Sequence, residues 1–292
     1  MKQRTLLPFL LPAILILAGL SIYPTVKAIQ LSFYNVNLFK IESNQFIGLE
    51  NYARLISDTR FVNALKVSLI FWILTVSFSV VIGLILAILL HNHIKGIFLD
   101  FVTTIFIMPA VMSRVATSLI WKFMYQPSLG IINYFINSIG LSPLNWLADP
   151  NIALFSIVIV DVWQWAPLLA LLILTALESL PTQIFEAARV DGASALQMFK
   201  SLTFPLLMPT ILSVTLLKGV ESFRTFDLMY NMTRGGPGTT TETVDLYAYL
   251  QGIAFGGEIS YASSMSIVML LVTILLFTII TKVYIIWRSR YE

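Results

Sequence analysis

Six long apolar runs divide this 292-residue chain, and they constrain its fold more than any other feature. They lie at about 6–30, 62–90, 98–122, 152–177, 206–229 and 260–287. Each exceeds the ~20 residues that an α-helix needs to cross the hydrocarbon core of a bilayer. The core supplies no water to satisfy backbone N–H and C=O groups, and the alternation of a membrane β-barrel is absent, so the spans are predicted to be helices. Charged residues make up only 11% of the sequence and hydrophobic ones 58%, against ~25% charged in a soluble domain. The reading is an all-α polytopic membrane protein, with 1–292 forming a single transmembrane domain of about six helices. Pro8, Pro12, Pro24, Pro109 and Pro167 lie in or near the runs and are predicted to kink them, which helix bundles tolerate.

Several classes of function drop out. The net charge is only +3, which argues against a nucleic-acid partner. Cysteine is absent, which removes disulfides, thiolate chemistry and lipidation at cysteine. The basic head Met1-Lys2-Gln3-Arg4 could open a signal peptide, but the following run is too long and lacks a small-residue cleavage site, so it reads as an uncleaved helix. Orientation follows from Lys and Arg in the flanks. With a cytoplasmic amino terminus, the cytoplasmic connections carry Lys95, Arg189 and Lys200, and the ends add Lys2, Arg4, Lys282, Arg288 and Arg290. The opposite side carries Lys40, Arg54, Arg60 and Arg234. Both termini are therefore predicted to be cytoplasmic, and Trp146, Trp287, Tyr125 and Tyr284 fit an interfacial aromatic belt.

The connections carry their own punctuation. Asn35–Arg60, with Gly48-Leu49-Glu50-Asn51-Tyr52, reads as an outer amphipathic segment. Gly130, Gly140, Pro143 and Pro150 bracket a short interfacial helix over 131–139, and Thr233-Arg234-Gly235-Gly236-Pro237-Gly238 demands an exposed turn. No soluble domain, low-complexity tract or internal repeat is visible.

The connection at about 178–205 carries a compact charged and small-residue segment, Glu186 to Pro209, between two long apolar runs. Pro181 suits the first turn of a helix, because it lacks an N–H that would be orphaned there. Residues 182–190 then form a short helix with Ile184, Phe185 and Ala188 towards one side. Gly192 interrupts it, and Ser194-Ala195-Leu196-Gln197 fits a capping box that starts a second short helix to about Thr203. The plain reading is an ordinary connection; the functional one is a docking element for a cytoplasmic partner.

Within this stretch, Glu186, Ala187, Ala188, Asp191, Gly192, Ala193, Phe199, Pro205 and Pro209 resemble the EAA loop of binding-protein-dependent ABC importer permeases. Leu202 and Phe204 are apolar replacements within that pattern. Tyr23-Pro24, Gly48-Leu49-Glu50-Asn51-Tyr52, Phe226-Asp227 and Thr233-Arg234-Gly235-Gly236-Pro237 resemble the carbohydrate-uptake branch, in particular the larger maltose permease and the glycerol-phosphate permease. The chain departs from the maltose protein in having about six helices rather than eight and no large outer insertion. The resemblance implies the ABC type I importer permease fold in a prokaryotic inner membrane. It implies no catalysis and no cofactor in this chain, with ATP and Mg on partner subunits. The implied partners are a second, non-identical permease, two ABC ATPase subunits and an extracytoplasmic solute-binding protein. Glu186, Ala187, Ala188, Asp191, Gly192 and Ala193 would couple to the ATPase, with Gly192 permitting a tight bend.

Charges inside apolar runs are costly and face a bundle interior or a wet cavity. Lys218, Glu221, Arg224 and Asp227 alternate in sign at three-residue spacing in the fifth run. Two readings fit: a self-neutralising structural ladder, or a polar path on which Glu221 and Arg224 meet the solute. Asp161, Trp163, Gln164 and Trp165 form a polar–aromatic cluster in the fourth run, where Trp163 and Gln164 suit the apolar faces and polar edges of sugars. Arg114 in the third run either joins this path or pairs with Asp161 or an outer-leaflet group. His91 and His93 are two apart, off a common helical face, and form no metal site. No G-x-x-x-x-G-K-[ST], H-E-x-x-H or G-x-S-x-G occurs, so neither a P-loop nor a protease or hydrolase signature is present. The competing classes are an ion-coupled carrier, which would use Lys218–Asp227 as a relay and show inverted repeats, and an intramembrane enzyme built on Asp161, Glu221 or Asp227.

Overall fold

The computed structural model describes residues 7–289; the first predicted run's Leu6 and the terminal charges Lys2, Arg4 and Arg290 lie outside the described residues. Among the described residues five helices are long and apolar enough to cross a membrane, and a bent pair brings the number to six if it is one span. The first span joins α1 (Leu7–Leu17) to α2 (Tyr23–Ser32) through a π-helical turn over Ala18–Ile22. Its most apolar stretch is not buried by the chain; Leu17 and Leu20 are 64% and 73% exposed.

The chain forms two compact units. One comprises residues up to Leu65 together with Val244–Leu275. After α2 it turns into an antiparallel hairpin, β1 (Tyr34–Asn37) and β2 (Lys40–Phe46), with Tyr34 opposite Phe46 and Asn37 opposite Lys40. The segment between the first two spans thus holds a small sheet as well as a helix, and every span is helical. Gly48, at φ +59°, then turns the chain into α3 (Glu50–Ser57). The buried Asn51 amide donates to the carbonyls of Ser32 (2.8 Å) and Tyr34 (2.9 Å), and the Tyr52 hydroxyl meets Ser32 Oγ at 2.7 Å. The Gly-x-x-Asn-Tyr pattern therefore ties α3 to the end of α2 and the start of β1.

Asp58 starts α4 (Thr59–His93) by accepting from the backbone N–H groups of Arg60 and Phe61, the standard use of an acidic side chain at a helix N-terminus. Its other oxygen accepts from the hydroxyls of Tyr247 (2.7 Å) and Tyr261 (2.6 Å). Burial pushes the Asp58 carboxyl up, but these hydroxyl and backbone donors outweigh it and hold the group below the usual carboxylate range. Leu55, Phe61, Ala64, Tyr247 and Met265 pack around this point.

The other unit comprises Lys66–Thr243 and the chain from Leu276 onwards. It contains α5 (Ile97–Val111), α6 (Arg114–Met124), α7 (Ile131–Ser138), α8 (Ala153–Glu178), α9 (Thr182–Val190), α10 (Ala195–Met198), α11 (Phe204–Glu221) and α12 (Phe226–Met232). Its core joins Ala87 and Leu90 to Leu169, Ala170, Ile173 and Leu207. Gly83 permits the close approach: a Cβ there would sit 3.1 Å from Leu169 Cβ and 3.3 Å from the Ala166 carbonyl, and small residues let membrane helices draw together in this way.

Two predicted spans are interrupted. The third run is not one helix but α5 and α6, bent by 96° at Met112–Ser113, one turn after Pro109, a residue that kinks helices. The fifth run ends as a helix at Glu221, four residues short of α12, so Asp227 opens a separate helix. At its other end it starts earlier than expected. α10 passes through a π-helical turn, Phe199–Thr203, directly into α11, and Pro205 falls within a continuous Ala195–Glu221 helix. The predicted interfacial helix appears as α7. Tyr125 and Trp146 stack on each other at 5.2 Å, and Tyr125, 3% exposed, donates to the Ser156 carbonyl. These two rings thus pack against each other and, through Tyr125, against α8. In the Gly-Pro turn Arg234 and Gly238 are exposed, whereas Gly235 is buried. α13 (Val244–Tyr249) and α14 (Ile259–Arg288) complete the chain.

Candidate functional site

The segment after α8 is built by local hydrogen bonding. Pro181, extended at ψ 119°, precedes α9. At its other end Gly192 takes φ +78°, Gly192 N–H donates to the Arg189 carbonyl (3.1 Å), and Ala193 N–H donates to that of Ala188 (2.9 Å). This is the Schellman arrangement, in which a left-handed residue closes a helix and satisfies its last carbonyls. A Cβ on Gly192 would meet nothing within 4 Å, so the demand for glycine comes from the backbone angle alone. Two residues on, the Gln197 N–H donates to Ser194 Oγ and the Ser194 N–H donates to Gln197 Oε1 (2.7 Å), the reciprocal capping box predicted from sequence.

No residue from Thr182 to Thr203 is buried. Val190 and Leu196 are 87% and 62% exposed, an unusual position for apolar side chains flanking a charged elbow. Glu186 and Arg189 line a groove of about 640 Å³ between these helices and the ends of α4 and α8, together with His91, Asn92, Glu178 and Phe185. Ala187 is exposed and Ala188 half-buried.

The second concentration of polar groups is buried. Lys218 and Asp161, both with fully buried side chains, pair at 2.5 Å between α11 and α8. Lys218 also donates to Ser222 Oγ (2.9 Å), which accepts from Thr75 of α4 (3.1 Å). Thus Asp161 has Lys218 for its partner, and Arg114 turns elsewhere. From the first turn of α6 the Arg114 guanidinium donates to the backbone carbonyls of Glu221 (3.3 Å) and Arg224, and pairs with the Glu221 carboxylate at 3.4 Å. A cation at the carboxyl end of α11 complements the helix dipole and the orphaned carbonyls there. Gln164 Nε2 donates to the Met112 carbonyl (3.0 Å) at the other break. Arg114 and Gln164 therefore satisfy carbonyls at the end of α11 and at the bend between α5 and α6, as buried backbone groups require.

Lys218 Nζ and the Arg114 guanidinium lie 5.4 and 5.8 Å from the centre of the Trp165 ring. Buried around this point, Asp161 Oδ1, Gln164 Oε1, Trp165 Nε1 and Thr117 Oγ1 find no partner among the described residues. Buried polar atoms of this kind are normally satisfied by water or a ligand. The other sequence candidates are only partly gathered. Arg224 is 74% exposed and reaches Glu221 Oε1 at 3.5 Å. Trp163, next to Gln164 in sequence, faces away into an apolar groove with Phe155, Ile159 and Pro167, edge-on to Trp121. The charges do not form a ladder along one helix: only Glu221 and Arg224 pair at that spacing, while Lys218 pairs across helices. Thr75, Thr117 and Ser222 carry no charge and do not stand out in the sequence; polar residues buried within or beside apolar runs are the available signal. Among the described residues no group of three or more His, Cys, Asp or Glu side chains could hold a metal ion.

Long apolar helices, one pair of them bent and held by polar side chains, together with a glycine-elbowed polar module, define a polytopic membrane protein. The chain belongs to the family described as binding-protein-dependent transport system inner membrane component, whose model matches residues 52–288. It is 34% identical over 240 residues to the trehalose/maltose transport system permease protein MalF of Thermococcus litoralis, covering 82% of this chain and 80% of that one. It is 33% identical over 277 residues to the lactose transport system permease protein LacF of Rhizobium radiobacter, covering 92% and 90%. The fold matches a chain of a bacterial ABC transporter involved in the import of the acidic polysaccharide alginate, with a TM-score of 0.81 and 23% identity over 96% of this chain and 94% of that one.

Proposed function

We propose that this chain is one of two membrane halves of an ATP-driven importer for a carbohydrate or related polyol or oligosaccharide. Relatives named for trehalose/maltose, lactose and arabinooligosaccharide transport support the solute class. In this reading the whole of 1–292 acts as one permease domain, with both termini in the cytoplasm. It catalyses no reaction and carries no cofactor. Two ABC ATPase subunits bind and hydrolyse ATP with Mg, a second and non-identical permease completes the pathway, and an extracytoplasmic binding protein delivers the solute. Membership of a binding-protein-dependent family favours this over an ion-coupled carrier.

The observation that carries the proposal is the α9–Gly192–α10 elbow. It holds itself together by caps, buries nothing, and presents Val190 and Leu196 outward. Glu186, Ala187, Ala188, Asp191, Gly192 and Ala193 form the surface that an ATPase grips. Closure of the ATPase pair shifts the equilibrium of the helix bundle through contacts made in one state and not the other. α10 continues without a break into α11, so displacement of the elbow is transmitted along one rigid rod to Lys218 and Glu221. Around Trp165, the unpartnered polar atoms, with Arg114, Gln164 and Glu221, line the solute's path; Arg224 lies at its exposed edge and Trp163 supports it from behind.

The test is Gly192→Asp in the assembled importer. A side chain in the left-handed region costs about 1–2 kcal/mol, in a position with open space around it, so membrane insertion should persist. Uptake should fall at least about tenfold, equivalent to 1.4 kcal/mol of lost coupling. Normal uptake by a correctly inserted variant would remove the docking role.

A further inference from the structure

The carbonyls at the end of a helix have no partner within it, and those of α11 face the break before α12. Most are met locally. The Lys218 carbonyl accepts from the Ser222 N–H (2.9 Å), that of Val220 from the Phe223 N–H (3.3 Å) and that of Glu221 from the Arg224 N–H (3.1 Å). The Gly219 carbonyl instead accepts from the indole Nε1–H of Trp72, 147 positions earlier on α4, at 2.9 Å. The same indole stacks on Phe223, with 5.7 Å between ring centres and 18° between planes. One turn further along α4, the Thr75 hydroxyl donates to Ser222 Oγ (3.1 Å), which also accepts from Lys218. Trp72, Thr75 and Ser222 are buried. Gly219 lets the indole approach: a Cβ there would sit 3.3 Å from the Trp72 ring and 2.9 Å from the ring of Phe277 on α14.

α4 therefore grips the corner after α11 through a carbonyl, a hydroxyl and a ring, while Arg114 of α6 holds the carbonyls of Glu221 and Arg224. A helix that runs unbroken from Ala195 to Glu221 can carry a displacement from the elbow only if its far end is held. A free last turn frays at almost no cost and would absorb the movement. We infer that Trp72 is a positioning residue for transport: it fixes the corner to α4, so that a shift of the elbow arrives at Glu221 and Arg224 as movement of the corner and not as fraying of the final turn. Thr75 is the second, weaker grip. This inference rests on the proposed docking of the elbow to an ATPase.

The experiment uses the complete importer with its partner subunits in nanodiscs. Amide exchange is compared between the nucleotide-free state and the ATPase pair trapped closed with ATP and vanadate. Trapping should change exchange about fivefold both in the elbow, 182–203, and at the corner, 222–225. Trp72→Phe keeps a ring against Phe223 but loses the N–H. Its elbow response should persist, and its corner response should fall below about twofold. Thr75→Val should show the same split more weakly, and it decides the matter if Trp72→Phe fails to assemble. Trp146→Phe loses an equivalent indole bond, to Asn133 Oδ1 (3.0 Å), in the connection between α7 and α8, and should keep both responses. A full corner response in the assembled Trp72→Phe importer, or in Thr75→Val where only that one assembles, would overturn the inference. So would an equal loss in Trp146→Phe, or loss of both responses together, since either would reduce the bond to structural support. A parent that responds at the elbow but not at the corner would overturn it while leaving the docking role intact. A parent silent at the elbow would remove the docking role and this inference with it.

Discussion

The elbow and the buried polar cluster are parts of one compact unit, and they are held by opposite means. From Thr182 to Thr203 nothing is buried, and the shape comes from a Schellman closure, a proline and a capping box, none of which spans more than six residues. Around Lys218 the contacts join residues far apart in the chain: Asp161 lies 57 positions away, and Thr75 lies 147 from Ser222. The first region is self-supporting and exposed, as a surface gripped by another chain must be. The second depends on contacts between helices: Lys218 with Asp161, Thr75 with Ser222, and Gln164 with the Met112 carbonyl.

That contrast can be broken deliberately, and the largest effect should come from the buried set. Lys218→Met strands the Asp161 carboxylate, and removing one partner of a buried ion pair costs about 3–5 kcal/mol. Combining it with Asp161→Leu should restore most of the loss, because apolar replacement of both partners is often near neutral. Thermal unfolding of the detergent-solubilised chain distinguishes the two; a single variant as stable as the parent would show that the pair contributes little. Next comes Arg114→Gln, which removes charge-assisted bonds to the carbonyls that end α11. A loss of about 1.5–3 kcal/mol is expected, with lowered uptake and undiminished association with the ATPase. Loss of the ATPase would instead mean that the break and the elbow are one structural unit. The smallest effect belongs to the elbow: Ser194→Ala should cost about 1 kcal/mol, read as roughly fivefold faster amide exchange confined to 195–198. Spread of that change into α8 or α11 would contradict the self-supporting picture.

Much of the elbow is legible in the order of its residues. Pro181, Gly192 and the Ser194–Gln197 pair act within a few positions, so their geometry follows from their spacing. The same holds for the Asn51-Tyr52 tie in kind, though nothing local points to its partners Ser32 and Tyr34. The break at Met112–Ser113 shows in the sequence only as the kink expected at Pro109, without its size, and the one at Ser222–Thr225 leaves no such trace, because hydropathy averages over a window and does not register so short a gap. The alternating charges mislead for a related reason. Three-residue spacing suggests neighbours on one helix, but the helix ends at Glu221, and Lys218 finds a better partner across the bundle.

By itself, then, the sequence determines that this chain crosses a bilayer several times, that its backbone there is helical, and that it carries a locally folded polar elbow. Composition, run length and cap chemistry are short-range properties, and a bilayer leaves few backbone solutions. Only the tertiary structure decides which charges meet, that Trp163 and Gln164 have different surroundings, and that Arg114 and Gln164 hold the carbonyls at the end of α11 and at the bend after α5. Those outcomes turn on which helices touch and at what rotation. Packing sets that rotation among spans that are nearly equivalent in hydrophobicity.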